Sequence, residues 1–218
     1  MNEYFNTEVV TSTLRKMVDV LEENNIEYRF LGSVVIAAIN GRLHRNLGDL
    51  DFVIDSEGRE VLYKHLKHFG FKPAPGMFAF ARKYLCLEQF THDDFLGVGY
   101  FYGKFQQDGS FIMGNKQSNV RVDAFALEKT KYTLGGVSFM GIPQRAAAAG
   151  VKESESNPKR KFEKKILKEK GIEPFKNNYI HVTIYGINAD WVYHLSMAIL
   201  NVIGAVRVKF GLAFDPWR

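Results

Sequence analysis

The chain has 218 residues, of which 46% are hydrophobic and 24% are charged, and this balance is that of a globular protein rather than a disordered or fibrous one. A single cysteine, Cys86, excludes an intramolecular disulfide framework and favours a reducing, cytoplasmic setting. The net charge of +5 is mild, and by itself it indicates only that a phosphorylated or polyanionic ligand is compatible with the chain.

The first third of the sequence alternates helical and extended patterns. Apolar residues at helical spacing, alternating polarity and glycine stops predict helix 7–25, strand 27–31, helix 33–39, strand 49–54 and helix 56–69. Each element is short and amphipathic or apolar, which is typical of a compact domain.

Strand patterns dominate the middle of the chain. Polarity alternates over 120–127, and 132–140 reads as a hairpin around a Gly-Gly pair. This order predicts an α+β fold in which helices pack on one mixed β-sheet. Because the composition shifts after residue 142, we expect a core unit over 1–142 and a C-terminal extension over 143–218.

The extension contains a basic stretch, a β-rich run and an apolar helix. The basic stretch, 159–170, fits either the solvated face of an amphipathic helix or a surface for a triphosphate or RNA. The apolar stretch 191–206 is interrupted by polar side chains and is too short for a membrane span. The first residues lack the basic start and apolar run of a secretory signal. The tail could complete an acceptor pocket or form a homodimer contact.

Asp49 and Asp51 are the first candidate site residues. Two residues apart on a predicted strand, they project from the same face, while Leu50 and Phe52 point into the core. Paired carboxylates repel one another unless a cation lies between them. Mg²⁺ suits such a pair, because it takes few protein ligands and completes its shell with water and phosphates. An isolated Asp-x-Asp is more often a polar strand end than a metal site. The neighbouring residues therefore decide between these two interpretations.

That context is a glycine-serine turn. Gly32 and Ser33 lie where a strand passes into a helix, and free N–H groups and the helix dipole favour an anion there. Ser33 is predicted to cap the helix and to offer its hydroxyl to a phosphate oxygen. A phosphate site beside a metal-binding carboxylate pair is what nucleoside triphosphate chemistry requires.

A third carboxylate is expected from a neighbouring strand, and Asp123 supplies it. Asp123 lies inside the apolar run 120–127, where a carboxylate is costly unless it is paired or metal-bound. Three converging carboxylates can hold two Mg²⁺ ions about 3.5–4 Å apart. Asp123 could also accept the proton of an attacking hydroxyl group.

The combination of these features resembles the polymerase-beta-like nucleotidyltransferase superfamily, in the style of its small bacterial and archaeal members, which include antibiotic nucleotidyltransferases. The residues that carry the resemblance are Gly32-Ser33, Arg45, Asp49-x-Asp51 and Asp123, within about residues 26–142. The resemblance implies an enzyme that transfers a nucleoside monophosphate from an NTP to an acceptor hydroxyl, with release of pyrophosphate. It also implies two Mg²⁺ ions, for which Mn²⁺ could substitute.

The resemblance also implies residue roles. Metal binding falls to Asp49, Asp51 and Asp123. Gly32 and Ser33 would contact the triphosphate, and Arg45 would support the phosphates or the loop. Relatives also carry a lysine in the helical region after the sheet, which makes Lys152 the implied phosphate contact. The helix that follows departs from the usual Lys-Asp pattern.

Other interpretations stay open. The chain could be a non-catalytic module of the same fold that binds a nucleotide, RNA or a partner, or a metal-dependent sugar-nucleotide enzyme, since such enzymes also use Asp-x-Asp. The Gly-Ser turn and the early position of the motif favour nucleotidyl transfer. The acceptor is open between an antibiotic, an RNA end, a protein side chain and a metabolite. Gly97, Gly99 and Gly103 are interpreted as hairpin turns.

Overall fold

The structure is a computed structural model that describes residues 6–74, 86–153 and 160–195, together with Ala198. The start of the aromatic-rich middle segment and most of the predicted apolar C-terminal helix lie outside these residues.

The helices within the described ranges agree closely with the sequence patterns. They are α1 (Thr7–Glu23), α2 (Gly32–Asn40), α3 (Arg59–His68), α4 (Gln144–Glu153) and α5 (Arg160–Glu169). A further helical segment begins at residue 190. Helix α2 ends at Gly41, whose φ of 80° continues the chain through a left-handed conformation that favours glycine.

The strands follow one another around these helices. They are β1 (Tyr28–Phe30), β2 (Asp49–Asp55), β3 (Lys72–Pro73), β4 (Leu87–Thr91), β5 (Gly97–Phe105), β6 (Phe111–Gly114), β7 (Ser118–Val122), β8 (Thr130–Leu134), β9 (Val137–Gly141), β10 (Ile180–Ile184) and β11 (Ile187–Asn188).

One mixed sheet connects all of these strands. Its order is β11-β10-β7-β6-β5-β2-β1-β9-β8, and the β3–β4 hairpin pairs with β5. The central strand β2 is antiparallel to β1 and parallel to β5. This arrangement confirms the predicted α+β class with a mixed sheet and helices packed on it.

The core is built from the apolar faces of β1, β2 and α1. Phe30 and Phe52 are fully buried, and their rings lie 5.0 Å apart between centroids. Leu14, Met17 and Leu21 recur at helical spacing on α1 and are also fully buried. The alternation of polarity along β2 therefore decides which side chains enter the core and which remain on the opposite face.

Two predictions of local structure are wrong. The strand predicted over 120–127 ends at Val122, and a 3₁₀ turn, Ala124–Ala126, follows directly. Gly97, Gly99 and Gly103 do not form hairpin turns, because all three lie inside β5.

The helices beyond residue 142 pack into the same core. Ala146 and Val151 of α4, and Ile166 and Leu167 of α5, belong to the hydrophobic cluster that contains Phe30. Strand β10 extends the sheet by pairing with β7. The division at residue 142 thus stays a prediction from composition. In the folded chain, residues from both sides of this division belong to one hydrophobic core. Within the described ranges, each helix is too short or too polar to cross a membrane.

Candidate active site

Asp49 and Asp51 lie together on the face of β2 that points away from the core. Both side chains are half-buried, whereas Leu50 and Phe52 between and after them are fully buried. Burial, and then the charge of Asp49, raise the pKa of Asp51 to about 8, although the positive charge of Arg160 opposes the rise. A buried carboxylate beside a second one is stabilised in its charged form by a nearby cation.

Glycines of the neighbouring strand leave open space beside these carboxylates. Asp49 and Asp51 pair in register with Gly97 and Gly99 of β5. A Cβ atom at Gly99 would lie 2.7 Å from Oδ1 of Asp51 and 3.8 Å from the Gln89 side chain on β4. Because no real Cβ approaches an oxygen that closely, only glycine lets the Asp51 carboxylate keep this position.

Gly32 brings the start of α2 against the same carboxylate. Its φ of +63° turns the chain from β1 into the helix, and a Cβ atom there would lie 3.8 Å from Oδ2 of Asp51. The N–H of Leu31 donates to the Asp51 carbonyl oxygen at 2.8 Å. The first turn of α2, with its unpaired backbone N–H groups, therefore begins beside the carboxylate pair.

The predicted cap at Ser33 is wrong. The residue that caps α2 is Leu31, and no side chain accepts a hydrogen bond from the first turn. The Ser33 hydroxyl instead donates to Oε1 of Glu163 at 2.7 Å. The side chain of Ser33 is thereby turned toward α5, and the anion-binding potential of this turn rests on backbone N–H groups.

Glu163 is the centre of a polar cluster that the sequence did not reveal. Its side chain is 0% exposed, although it comes from the basic helix α5. Nη2 of Arg45 donates to Oε1 at 3.1 Å and also to the Ser33 hydroxyl oxygen. Nη1 of Arg160 donates to Oε2, and His44 Nε2 lies 3.4 Å from Oε1. One carboxylate thus joins the Gly32-Ser33 turn, the loop before β2 and α5.

The partners of Glu163 keep it ionised. Burial by itself would raise the pKa of Glu163, but the hydrogen bond from His44 and the charge of Arg160 lower it. Together with the hydrogen bonds from Arg160 and Ser33, they hold the pKa at about 2. Glu163 therefore carries a negative charge at neutral pH, and the two guanidinium groups that contact it leave the cluster with an excess of positive charge.

Two buried nitrogens of this cluster have no hydrogen-bond partner among the described residues. They are Nε of Arg45 and Nδ1 of His44, and the His44 side chain is only 5% exposed. Unsatisfied buried polar atoms are rare in folded proteins and need an explanation. Both nitrogens lie near Ser33. A bound anion, or water around it, could supply the hydrogen-bond partners that they lack.

Asp123 does not join Asp49 and Asp51, and the prediction that the three converge is wrong. Asp123 follows the last residue of β7, Val122, whose register leads through β6 to Phe105 at the far end of β5. Gly99, opposite Asp51, is six residues from Phe105, about 20 Å along an extended strand. Asp123 lies apart from the pair because β6 and β5 separate β7 from β2, and the register of β7 places Asp123 beyond the far end of β5.

Asp123 belongs to a different group of side chains. Its Oδ2 atom lies 3.2 Å from Nε2 of His181, and Nδ1 of His181 lies 3.5 Å from Oδ2 of Asp190. The N–H of Asp123 donates to the carbonyl oxygen of Tyr179 at 2.9 Å. These contacts attach β10 and the segment after β11 to the end of β7.

Lys152 is placed on another surface. It is exposed in the last turn of α4, where it lines a groove of about 400 Å³ with Lys164 and Lys168. The basic residue that the structure brings to the Gly32-Ser33 turn is instead Arg160, whose Nη1 lies 3.5 Å from the Ser33 hydroxyl oxygen. Lys152 thus lies apart from the Gly32-Ser33 turn, and its role as a phosphate contact stays a prediction.

The residues at the site fit one hard divalent cation. Asp49 and Asp51 lie on one face of β2 beside Gly97 and Gly99 of β5. Mg²⁺ in nucleotide enzymes is commonly held by one or two carboxylates plus substrate phosphates. In the part of the chain that the structure describes, no three His, Cys, Asp or Glu side chains converge as a metal site. The predicted pair of metal ions held by three carboxylates thus lacks its third ligand among these residues.

Solved structures share the architecture of this chain. The lincosamide antibiotic adenylyltransferase LnuA, solved with lincomycin bound, matches with a TM-score of 0.61 and 14% identity, over 75% of this chain and 97% of that chain. The antibiotic-resistance factor ANT(2'')-Ia matches with a TM-score of 0.58 and 12% identity, over 94% of this chain and 95% of that chain. The predicted polymerase-beta-like nucleotidyltransferase fold is therefore confirmed.

The likeness is one of fold alone at these levels of identity. No family model matches the sequence, and the search of curated proteins found no match.

The lysine-rich composition of α5 concealed the roles of Glu163 and Arg160. Both lie on a helix whose many lysines suggested a solvated face. The one available signal was the spacing of Glu163 from Ile166 and Leu167, which puts an acidic residue on the only apolar face of α5.

Proposed function

We propose that this chain is a nucleotidyltransferase that moves a nucleoside monophosphate from an NTP to an acceptor hydroxyl and releases pyrophosphate. The observation that carries the proposal is the contact between the Gly32 turn and Asp51. It places the N-terminus of α2, which favours anions, directly beside two carboxylates suited to a divalent cation. The fold shared with antibiotic nucleotidyltransferases supports the same reaction class.

In this proposal each side of the site has one task. The backbone N–H groups of the first turn of α2 bind phosphate oxygens, and Arg45 and Arg160 hold the triphosphate from the side of α5. Asp49 and Asp51 hold Mg²⁺, or Mn²⁺, which when bound neutralises the phosphates and polarises the phosphorus that is attacked. Catalysis comes from positioning and from charge neutralisation, as in phosphoryl transfer generally.

The proton of the acceptor hydroxyl requires a base other than Asp123. Because Asp123 lies beside the far end of β5, about 20 Å along that strand from Gly99 opposite Asp51, we do not assign it the acceptor proton. Asp49 and Asp51 are the carboxylates that the described residues place at the site, so the acceptor proton passes to one of them or to water.

Pyrophosphate release tests the proposal. The protein is incubated with Mg²⁺, with each of ATP, CTP, GTP and UTP, and with a panel of hydroxyl acceptors that includes antibiotics, RNA ends and small metabolites. We expect pyrophosphate from the wild type and at least a hundredfold less from Asp49→Asn and Asp51→Asn, since each removes one of two metal-binding charges. Asp93→Asn, which changes a carboxylate that is 91% exposed, serves as the matched control.

The products also discriminate the other interpretations. A nucleoside diphosphate released from a sugar nucleotide would indicate a sugar-nucleotide enzyme. Pyrophosphate release that survives both substitutions would contradict the assigned site.

A second function, nucleotide binding without transfer, is favoured by one observation. The position across β5 from Asp51 is occupied by Gln89 on β4, an amide where a third carboxylate could stand. A chain that binds an NTP with Mg²⁺ but releases no pyrophosphate with any acceptor would fit this second function.

A further inference from the structure

Glu163 is an unusual residue for its position. It is fully buried on the face of α5 that also buries Ile166 and Leu167, where an apolar side chain would pack at no electrostatic cost. A buried carboxylate is costly unless charged partners compensate it, and replacing a buried ion pair by apolar residues is often neutral or stabilising. Its presence in this core position therefore calls for a role other than packing.

The partners of Glu163 point to that role, because they come from the proposed phosphate site. Ser33, 130 residues away in the sequence, and Arg45, 118 residues away, both contact Oε1. Arg160 contacts Oε2 from the first turn of α5. The carboxylate thus lies between two guanidinium groups and fixes both of them beside the N-terminus of α2.

We propose that Glu163 is a positioning residue of the transferase, which orients Arg45 and Arg160 toward the triphosphate. This inference rests on the proposed function. Glu163 touches neither the nucleotide nor the reacting atoms; it acts through the two arginines and the Ser33 hydroxyl. This role would make helix α5, which belongs to the C-terminal extension, part of the proposed triphosphate site.

The charges around the cluster explain why a carboxylate is needed. Without a negative charge between them, Arg45 and Arg160 would repel one another. The Arg160 guanidinium lies 3.5 Å from the Ser33 hydroxyl oxygen, next to Gly32, beside which the Asp51 carboxylate lies. Released from Glu163, the Arg160 guanidinium would move toward the two aspartates and compete there with a divalent cation. Glu163 therefore separates the positive charges that bind phosphate from the negative charges that bind metal.

A double-mutant cycle on NTP affinity tests this role. The dissociation constant of an NTP is measured by calorimetry, with Mg²⁺ and without acceptor, for the wild type, Glu163→Gln, Arg45→Gln and the double variant. Glu163→Gln keeps the shape of the side chain and removes only its charge. We expect it to weaken binding by about tenfold, the scale of one charge-assisted hydrogen bond.

The double variant gives the decisive comparison. If Glu163 acts in part through Arg45, the loss of affinity in the double variant is smaller than the product of the two single losses, whereas independent effects would multiply. We also expect Glu163→Gln to need more Mg²⁺ for half-maximal binding, a shift that loss of packing alone would not produce. Glu169→Gln, an exposed carboxylate on the same helix, should bind like the wild type.

The outcomes separate this inference from the proposed function. Multiplicative effects, or wild-type affinity in Glu163→Gln, would overturn the positioning role while NTP binding still depended on Asp51. A wild type that binds no NTP would overturn both. If Glu163→Gln does not fold, Ser33→Ala takes its place in the cycle: effects that do not multiply with Arg45→Gln support the role, and effects that multiply overturn it.

Discussion

At the scale of single residues, the site depends on the absence of a side chain at Gly99. The strand would tolerate alanine there by its backbone conformation, but the new Cβ atom would lie 2.7 Å from the Asp51 carboxylate. We therefore expect Gly99→Ala to turn that carboxylate away and to weaken Mg²⁺-dependent NTP binding by about tenfold or more, the effect of displacing one metal ligand. Calorimetric titration measures the affinity.

The control for this substitution is Gly150→Ala. Gly150 lies in α4, and a Cβ atom there meets nothing within 4 Å. Because alanine is the better helix former, we expect unchanged NTP affinity and a gain of about 0.5–1 kcal/mol in the free energy of unfolding. Wild-type affinity in Gly99→Ala would show that the Asp51 carboxylate can move without loss.

The second prediction at this scale is that the free energy of unfolding depends on pH through the ionisation of Glu163. Its pKa is about 2 in the folded chain against an ordinary value of 4.5, so the unfolded chain binds the proton more readily. The stabilisation from the ionised side chain is complete above about pH 4.5. It is lost as the pH falls from there toward 2, and it amounts to roughly 3 kcal/mol from the shift of the pKa.

Urea unfolding at several pH values checks this sign. Glu163→Gln should be less stable than the wild type at pH 7, and the difference should shrink steadily below pH 4.5. The groups that face the carboxylate are His44, Arg45, Arg160 and Ser33. A difference in stability that stays constant down to pH 2.5 would contradict the assigned environment.

At the scale of elements, the contacts of Asp123 at the end of β7 indicate a structural role for this residue. Its contacts with His181 and the carbonyl of Tyr179 hold β10 to β7, and both side chains of the ion pair are partly exposed. We expect Asp123→Asn to release pyrophosphate within about twofold of the wild type. It should lose less than about 1 kcal/mol of stability, because partly exposed ion pairs contribute little.

The comparison for this prediction is Asp51→Asn in the same pyrophosphate assay. Loss of activity in Asp123→Asn to the level of Asp51→Asn would show that the two carboxylates meet during the reaction.

The same elements show what the sequence could predict. The Gly32 turn and the Asp49–Asp51 strand follow from short-range signals, namely a glycine between an extended and a helical pattern and the alternation of polarity, and both are confirmed as local structure. The position of Asp123 was not predictable, because it depends on the order and register of β5, β6 and β7, which no local pattern encodes. Glu163 was out of reach because its contacts join residues 130 positions apart, and no local pattern encodes that packing.

At the scale of the whole molecule, the C-terminal extension is part of the fold on which the site depends. Helices α4 and α5 bury Val151, Ile166 and Leu167 in the common core, and α5 delivers Glu163 and Arg160 to the start of α2. The core built on β2 supplies the carboxylates, and the extension supplies the charges opposite them. The proposed triphosphate site therefore lies between the two parts of the sequence.

The most direct test of this account is the affinity of the chain for an NTP, measured with Mg²⁺ and with a chelator, in the wild type and in Asp51→Asn. We expect Mg²⁺ to strengthen binding by the wild type and to have little effect on Asp51→Asn. Because burial and the charge of Asp49 raise the pKa of the Asp51 carboxyl group to about 8, this group is mostly protonated at pH 7 in the metal-free chain, and Asp51→Asn should unfold at about the same urea concentration as the wild type. Equal affinities and equal Mg²⁺ dependence in the two proteins would contradict the central claim that Asp51 and the Gly32 turn form a metal-assisted triphosphate site.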